Sequence, residues 1–142
     1  MGKVVTRIKL TNFVDLERAR LGELPPDRVR TAEVDALVDT GATMLVLPAQ
    51  VVRQLGLREL DRRRVRYANG SVGVVPVVTG LQVEILGRWT GCDALVEAEG
   101  TTPLLGQIPL EALDLVVDPT NGDVRVNPEH PDAPLLDLLH VA

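Results

Sequence analysis

The chain has 142 residues, 15 lysines and arginines and 20 aspartates and glutamates, for a formal charge of −5. Apolar residues make up 45% and charged residues 25%, which fits a folded globular chain with one core and excludes a disordered one. An acidic balance with three aromatic residues, Phe13, Tyr67 and Trp89, argues against a nucleic-acid partner, and no apolar run approaches the roughly 18 residues that span a membrane.

Twenty-two valines spread along the chain favour strands. Val4 to Leu10 alternates in part and reads as the first strand. Asp15 to Arg30 is polar and contains Leu24-Pro25-Pro26-Asp27, so a long connection with at most one helical turn is expected. Val29 to Val38 reads as a second strand. Its last residues, Ala36-Leu37-Val38, are continuously apolar, as in a strand buried on both faces. Pro48 to Leu57 is the clearest helix, with Pro48 in its first turn and Gly56 as terminator. Asp61 to Arg66 is a basic run, readable as an anion site or as a solvated strand edge; the edge is favoured, because charge there blocks sheet-to-sheet aggregation.

Tyr67-Ala68-Asn69-Gly70-Ser71 carries Asn-Gly between valine-rich flanks and predicts a hairpin with positive φ at both turn residues. Strands follow at Val72 to Val78 and Leu81 to Leu86, broken near Thr79-Gly80. A turn at Gly87 to Gly91 and a strand at Ala94 to Val96 come next. Leu104-Leu105-Gly106 ends an apolar run before a short helix at Pro109 to Leu113. Leu115 to Val117 and Val124 to Val126 form a second hairpin around Asp118 to Gly122. The tail, Asn127 to Ala142, holds three prolines and Leu135, Leu136, Leu138 and Leu139. Many short strands, frequent turns and one or two short helices indicate a mainly β barrel. We expect a single domain over 1–142, with its core at about 29–126.

The chemistry is narrowed by what is scarce. One cysteine, Cys92, and two distant histidines, His130 and His140, leave no Cys-based zinc cluster, disulfide framework or Ser-His-Asp triad to assemble. No metal or other cofactor is expected. Carboxylates, hydroxyls and backbone groups remain. Among them, Ala36-Leu37-Val38-Asp39-Thr40-Gly41 drives a strand inward and stops it at an acid. Burying an acid there is costly unless it is paired or hydrogen-bonded. Gly41 lets the backbone approach closely, and Thr40 can turn its hydroxyl inward to lock the loop. A carboxylate held on a rigid, partly dry loop suits catalysis.

This segment resembles the active-site signature of the retropepsin-like aspartic proteases, the single-lobe relatives of the pepsins. The likeness extends through the apolar Leu45-Val46-Leu47, the following helix, a hairpin flap at Tyr67 to Gly73, and the strand Val83 to Arg88. It ends with the second apolar-apolar-Gly element, Leu104-Leu105-Gly106, before a helix, and covers about Val29 to Val126. It implies a retropepsin-like closed acid-protease barrel and an aspartic endopeptidase with Asp39, Thr40 and Gly41 as its catalytic loop. Val46, Val72 and Leu104 are the implied apolar pocket walls. Tyr67, Asn69 and Gly70 belong to the implied flap over the substrate. Thr43 and Gln107 stand where viral members have an ion pair, and a neutral Thr43–Gln107 hydrogen bond is the expected replacement.

Aspartic proteolysis needs two carboxylates sharing one proton, and this chain has one Asp-Thr-Gly. The other acids lack the strand-then-glycine context, so the second carboxylate is expected from Asp39 of a second copy in a homodimer. The substrate implied is an extended peptide. The alternative is a non-catalytic peptide-binding or dimerisation module on the same fold. Met1 to Leu10 lacks the apolar segment and cleavage site of a secretory signal, and the likeness is to bacterial cytosolic members, so a cytoplasmic location is expected.

Overall fold

The computed structural model describes residues 3–138; Leu139 and His140 of the tail lie outside the described residues. Strand β1 (Val5–Asn12) runs into helix α1 (Phe13–Arg20). A single 3-10 turn at Pro26–Arg28 leads to β2 (Thr31–Val38), β3 (Leu45–Pro48) and helix α2 (Ala49–Leu55). Then come β4 (Arg58–Arg66), β5 (Val72–Ile85), β6 (Arg88–Glu97), β7 (Leu104–Leu105) and helix α3 (Gln107–Ala112). A hairpin of β8 (Leu115–Asp118) and β9 (Asp123–Val126) closes the element list.

The first seven strands form one sheet in the order β1-β2-β7-β3-β6-β5-β4, and β1 also pairs with β5. The strands therefore run in a ring from which β4 projects as an outer edge. The expected mainly β, retropepsin-like architecture is observed, with three helices in place of one or two. Inside the ring Ile8, Leu10, Ala36, Leu45, Leu47, Leu81, Val83, Ile85 and Leu105 are almost wholly buried, and Leu113, Leu115 and Val124 join the same cluster. Burying each of these valine, leucine and isoleucine side chains contributes about 1.5 to 3 kcal/mol against leaving it in water.

Several expected boundaries shift, each for a local reason. Helix α1 has eight residues where at most one turn was expected. Its start is fixed by Asn12, whose Oδ1 accepts from the Asp15 amide at 2.9 Å. Its stability comes from packing that its polar sequence hides: Asp15 is 4% exposed and takes a bidentate pair from Arg30, Nε to Oδ2 at 2.8 Å and Nη2 to Oδ1 at 3.0 Å. The guanidinium holds the Asp15 carboxyl below its ordinary range. Pro48 ends β3 and precedes α2 instead of sitting in its first turn, and Gly56 caps that helix at φ +61°. The expected break at Thr79-Gly80 is a bulge within one long β5, where Gly80 takes φ +79° and the register against β6 shifts. The expected turn at Gly87 to Gly91 is confined to Leu86-Gly87, both at positive φ, and Arg88 already begins β6. Buried Arg88 donates to the Leu113 and Asp114 carbonyls at 3.0 Å and to that of His130.

The tail is fastened at one carboxylate. Asp114 accepts from Asn127 Nδ2 at 3.1 Å and from the Leu135 amide at 3.0 Å, and shares a 2.7 Å hydrogen bond with His130 Nδ1. Those bonds, the Leu135 amide first, draw its pKa down to about 2. A carboxylate depressed in this way contributes anchoring that is full above the ordinary range and lost as pH falls through about 2. At pH 4 the Leu135 amide should exchange its hydrogen about tenfold more slowly in the native protein than in Asp114→Asn, which keeps the left-handed backbone but removes the charge. Hydrogen-exchange NMR should show that difference collapsing as the pH approaches 2.

Candidate active site

Asp39 stands one residue beyond β2, at the point where β7 is inserted between β2 and β3. Its amide still donates to the Leu105 carbonyl at 3.0 Å, so the strand pairing extends to the acid itself. The chain then turns sharply: the Ala42 amide donates to the Asp39 carbonyl at 3.0 Å, and the Gly41 amide to the carboxylate Oδ1 at 2.9 Å. A Cβ at Gly41 would lie 3.2 Å from that same oxygen, so glycine leaves the carboxylate its place against the turn.

The far side of the loop is held by the start of α3. The Gln107 amide donates to the Ala42 carbonyl at 2.8 Å and the Ile108 amide to that of Thr43 at 2.9 Å. This crossing is so close that a Cβ at Gly106 would lie 2.3 Å from the Met44 carbonyl oxygen and 2.8 Å from that of Ala42. Gly106 has φ −90°, so backbone space, and not backbone conformation, demands the glycine. The expected Thr43–Gln107 side-chain bond is not formed: the Gln107 amide group donates to Glu111 at 2.9 Å, and the backbone bonds carry the connection. Thr40 is exposed in the single chain, and Asp39 is half-buried.

An apolar row leads to this loop. Registered partners follow one another across six strands: Val5 with Leu37, Leu37 with Leu104, Leu104 with Val46, Val46 with Leu95, Leu95 with Val77. Laterally paired side chains share a face of the sheet, and Asp39, two residues beyond Leu37, continues that face. Val46, Val75 and Val77 are buried but stand outside the main core cluster, as an outward-facing row requires. Two expected wall residues, Val46 and Leu104, are thus direct neighbours. The expectation passed over Leu37, Leu95 and Val77; the signal was the runs Ala36-Leu37-Val38 and Ala94-Leu95-Val96, apolar on both faces.

The expected flap residues divide. β4 and β5 form a long antiparallel hairpin, and the Tyr67 amide donates to the Ser71 carbonyl at 2.9 Å across its tip. Only Gly70 is at positive φ, +85°, so the tip is a turn over Ala68-Asn69 followed by a left-handed glycine, not the expected turn with two positive φ angles. Asn69 Oδ1 braces it by accepting from the Ser71 amide at 2.9 Å and from its hydroxyl at 2.6 Å. The Tyr67 ring lies over Gly73, and its hydroxyl donates to Glu97 at 2.9 Å. That carboxylate raises the phenol above its ordinary range. Glu97 is two residues past Leu95, so Tyr67 joins the hairpin tip to the rim of the apolar row. Val72 pairs with Arg66 and alternates with Gly73, Val75 and Val77, which puts it on the opposite face of the hairpin from that row.

Four of the other acids are engaged elsewhere. Asp35 meets Arg7 at 3.4 Å, Asp114 meets His130, and Asp118 and Asp123 meet Arg125 at 3.1 and 3.2 Å. Among the described residues no basic side chain pairs with Asp39, and no group of three or more His, Cys, Asp or Glu is placed to hold a metal ion. No described helix is long and apolar enough to cross a membrane.

A family model described as "gag-polyprotein putative aspartyl protease" matches residues 28–112, which takes in the Asp39 loop, the hairpin, the apolar row from Leu37 onward and Gly106. A comparison with curated proteins finds no match.

The Gly106 crossing is directly testable. Gly106→Ala should lower the unfolding free energy by about 2 to 3 kcal/mol in urea titration, because both obstructing atoms are backbone and neither can rotate away. Gly91→Ala, whose nearest contact would be 3.8 Å away, should change it by less than about 0.5 kcal/mol.

Proposed function

The chain belongs to the retropepsin-like gag aspartyl protease family, and from that premise we propose that it is an aspartic endopeptidase acting as a homodimer. The observation that carries the reading is the Asp39 loop: one half-buried carboxylate, fixed by backbone bonds on both sides, on the face of an apolar row. A second copy related by a twofold axis would bring the missing carboxylate. Asp39, Thr40 and Gly41 form the catalytic loop in this reading.

Two carboxylates about 3 Å apart cannot both ionise, so the pair holds one proton between them. The ionised member takes a proton from water, and that water attacks the scissile carbonyl. The protonated member donates to the carbonyl oxygen and stabilises the charge that develops there. The substrate lies extended, adding its backbone to the strands around the cleft. Val46 and Leu104, with Leu37 and Leu95 beside them, receive its apolar side chains. Tyr67, Asn69 and Gly70 belong to the flap that covers it, and Val72 takes part only through a hairpin of the partner or a movement of its own.

Asp39→Asn should fold and dimerise but lose peptide hydrolysis by at least about a thousandfold, since Asn keeps the loop's shape and cannot accept a proton. The native rate should follow a bell-shaped pH profile belonging to the pair, and activity per chain should fall on dilution as dimers dissociate. Cleavage by Asp39→Asn at the native rate would remove the protease reading and leave a peptide-binding module.

The flap yields a separate expectation. Gly70 sits at φ +85° with open space around its Cβ position, so Gly70→Val strains the backbone without a clash. Turnover should fall about tenfold while the melting temperature moves by less than about 4 °C, because a lid tip contributes little to the core. Losses in proportion would make the hairpin a structural element.

A further inference from the structure

We propose that the outer edge of β4 is a docking strand for an extended acidic polypeptide, separate from the cleft beside Asp39. β4 ends the sheet order and pairs only with β5, so along its other edge alternate backbone N–H and C=O groups face outward. All of its nine residues except Val65 are exposed. Five are arginines, Arg58, Arg62, Arg63, Arg64 and Arg66, against the acids Glu59 and Asp61. Arg62 meets Glu59 at 3.5 Å. Among the described residues Arg63, Arg64 and Arg66 have no carboxylate within ion-pair distance. The strand therefore carries +3 in a chain whose total is −5.

One charge is enough to protect an edge from aggregation; a run of unpaired arginines is more than that task requires. The register gives the surface its second component. Arg64 pairs with Val74 and Arg66 with Val72, so these four side chains share a face, and the two valines are 56% and 57% exposed. A shallow depression of about 330 Å³, lined by Arg64, Val65, Arg66 and Val72, lies there. The guanidinium groups of Arg64 and Arg66, on one face of a free strand edge, match an added strand with a carboxylate at every second residue, whose intervening aliphatic side chains fall on the opposite face, that of Val65. Backbone pairing supplies affinity and the arginines select charge. A nucleic acid fits less well: it cannot continue a peptide ladder, and the aromatic ring of the hairpin, Tyr67, is engaged with Glu97.

The test uses the full chain carrying Asp39→Asn, so that cleavage plays no part, and a fluorescent peptide of alternating glutamate and valine. Anisotropy should show saturable binding that weakens about tenfold or more between roughly 0.05 and 0.5 M salt. Arg64→Glu combined with Arg66→Glu should weaken it more than about tenfold at an unchanged melting temperature, as expected of exposed side chains. The same peptide methylated on alternate backbone nitrogens should bind about tenfold more weakly to the unaltered arginines, which tests the ladder without touching the protein's fold. Equal binding by the methylated peptide, indifference to both charge reversals, or tighter binding of single-stranded oligothymidylate would each overturn the proposal. None of these outcomes bears on whether Asp39 is catalytic.

Discussion

The close passage of Gly106 across the carbonyls of Ala42 and Met44 is the constraint on which the candidate site depends. It brings β7 between β2 and β3, parallel to one and antiparallel to the other, so that Leu105 receives the Asp39 amide while Gln107 and Ile108 bond to the far side of the same loop. The acid is thereby fixed from both directions by backbone groups. Side-chain bonds are not needed, and a neutral Gln107 is free to bond Glu111 instead of replacing the ion pair of viral relatives. A methyl group at position 106 would push the two layers apart, which makes this glycine as much a part of the site as Gly41.

Around that crossing the ring of strands separates two apolar surfaces. Residues such as Leu45, Leu47 and Ala94 point into the core, while their neighbours Val46 and Leu95 point the other way. The outward row runs from Val5 on β1 to Val77 on β5, with Asp39 two residues beyond Leu37 on the same face. An apolar floor next to a carboxylate favours exclusion of water once a second surface covers it, and exclusion of water is what raises the electrostatic value of a shared proton. In the single chain Thr40 is exposed and Asp39 half-buried.

Much of this was legible in the sequence. Asp39-Thr40-Gly41 after Ala36-Leu37-Val38 located the loop, and Leu104-Leu105-Gly106 located the segment that braces it. The helix before Gly56 and the arginine-rich edge were also readable, since cap chemistry and edge charge leave strong local signals. Helix α1 was not, because its buried side is a carboxylate, Asp15, matched by an arginine fifteen positions later, and polar sequence conceals such packing. In the sequence Gly80 looks like a turn that would divide β5, whereas it absorbs a bulge within one continuous strand. The placement of Val72 depended on register, which composition cannot supply: one step along the strand reverses a side chain's face.

The central claim is that one chain holds half of a catalytic pair. The separation of the two Asp39 carboxylates in a crystal structure of the assembled protein tests it most directly. The account predicts about 3 Å, with the two Asp-Thr-Gly loops related by a twofold axis. Carboxylates held more than about 10 Å apart in an assembly that still cleaves peptides would contradict it, because two acids at that distance cannot share a proton.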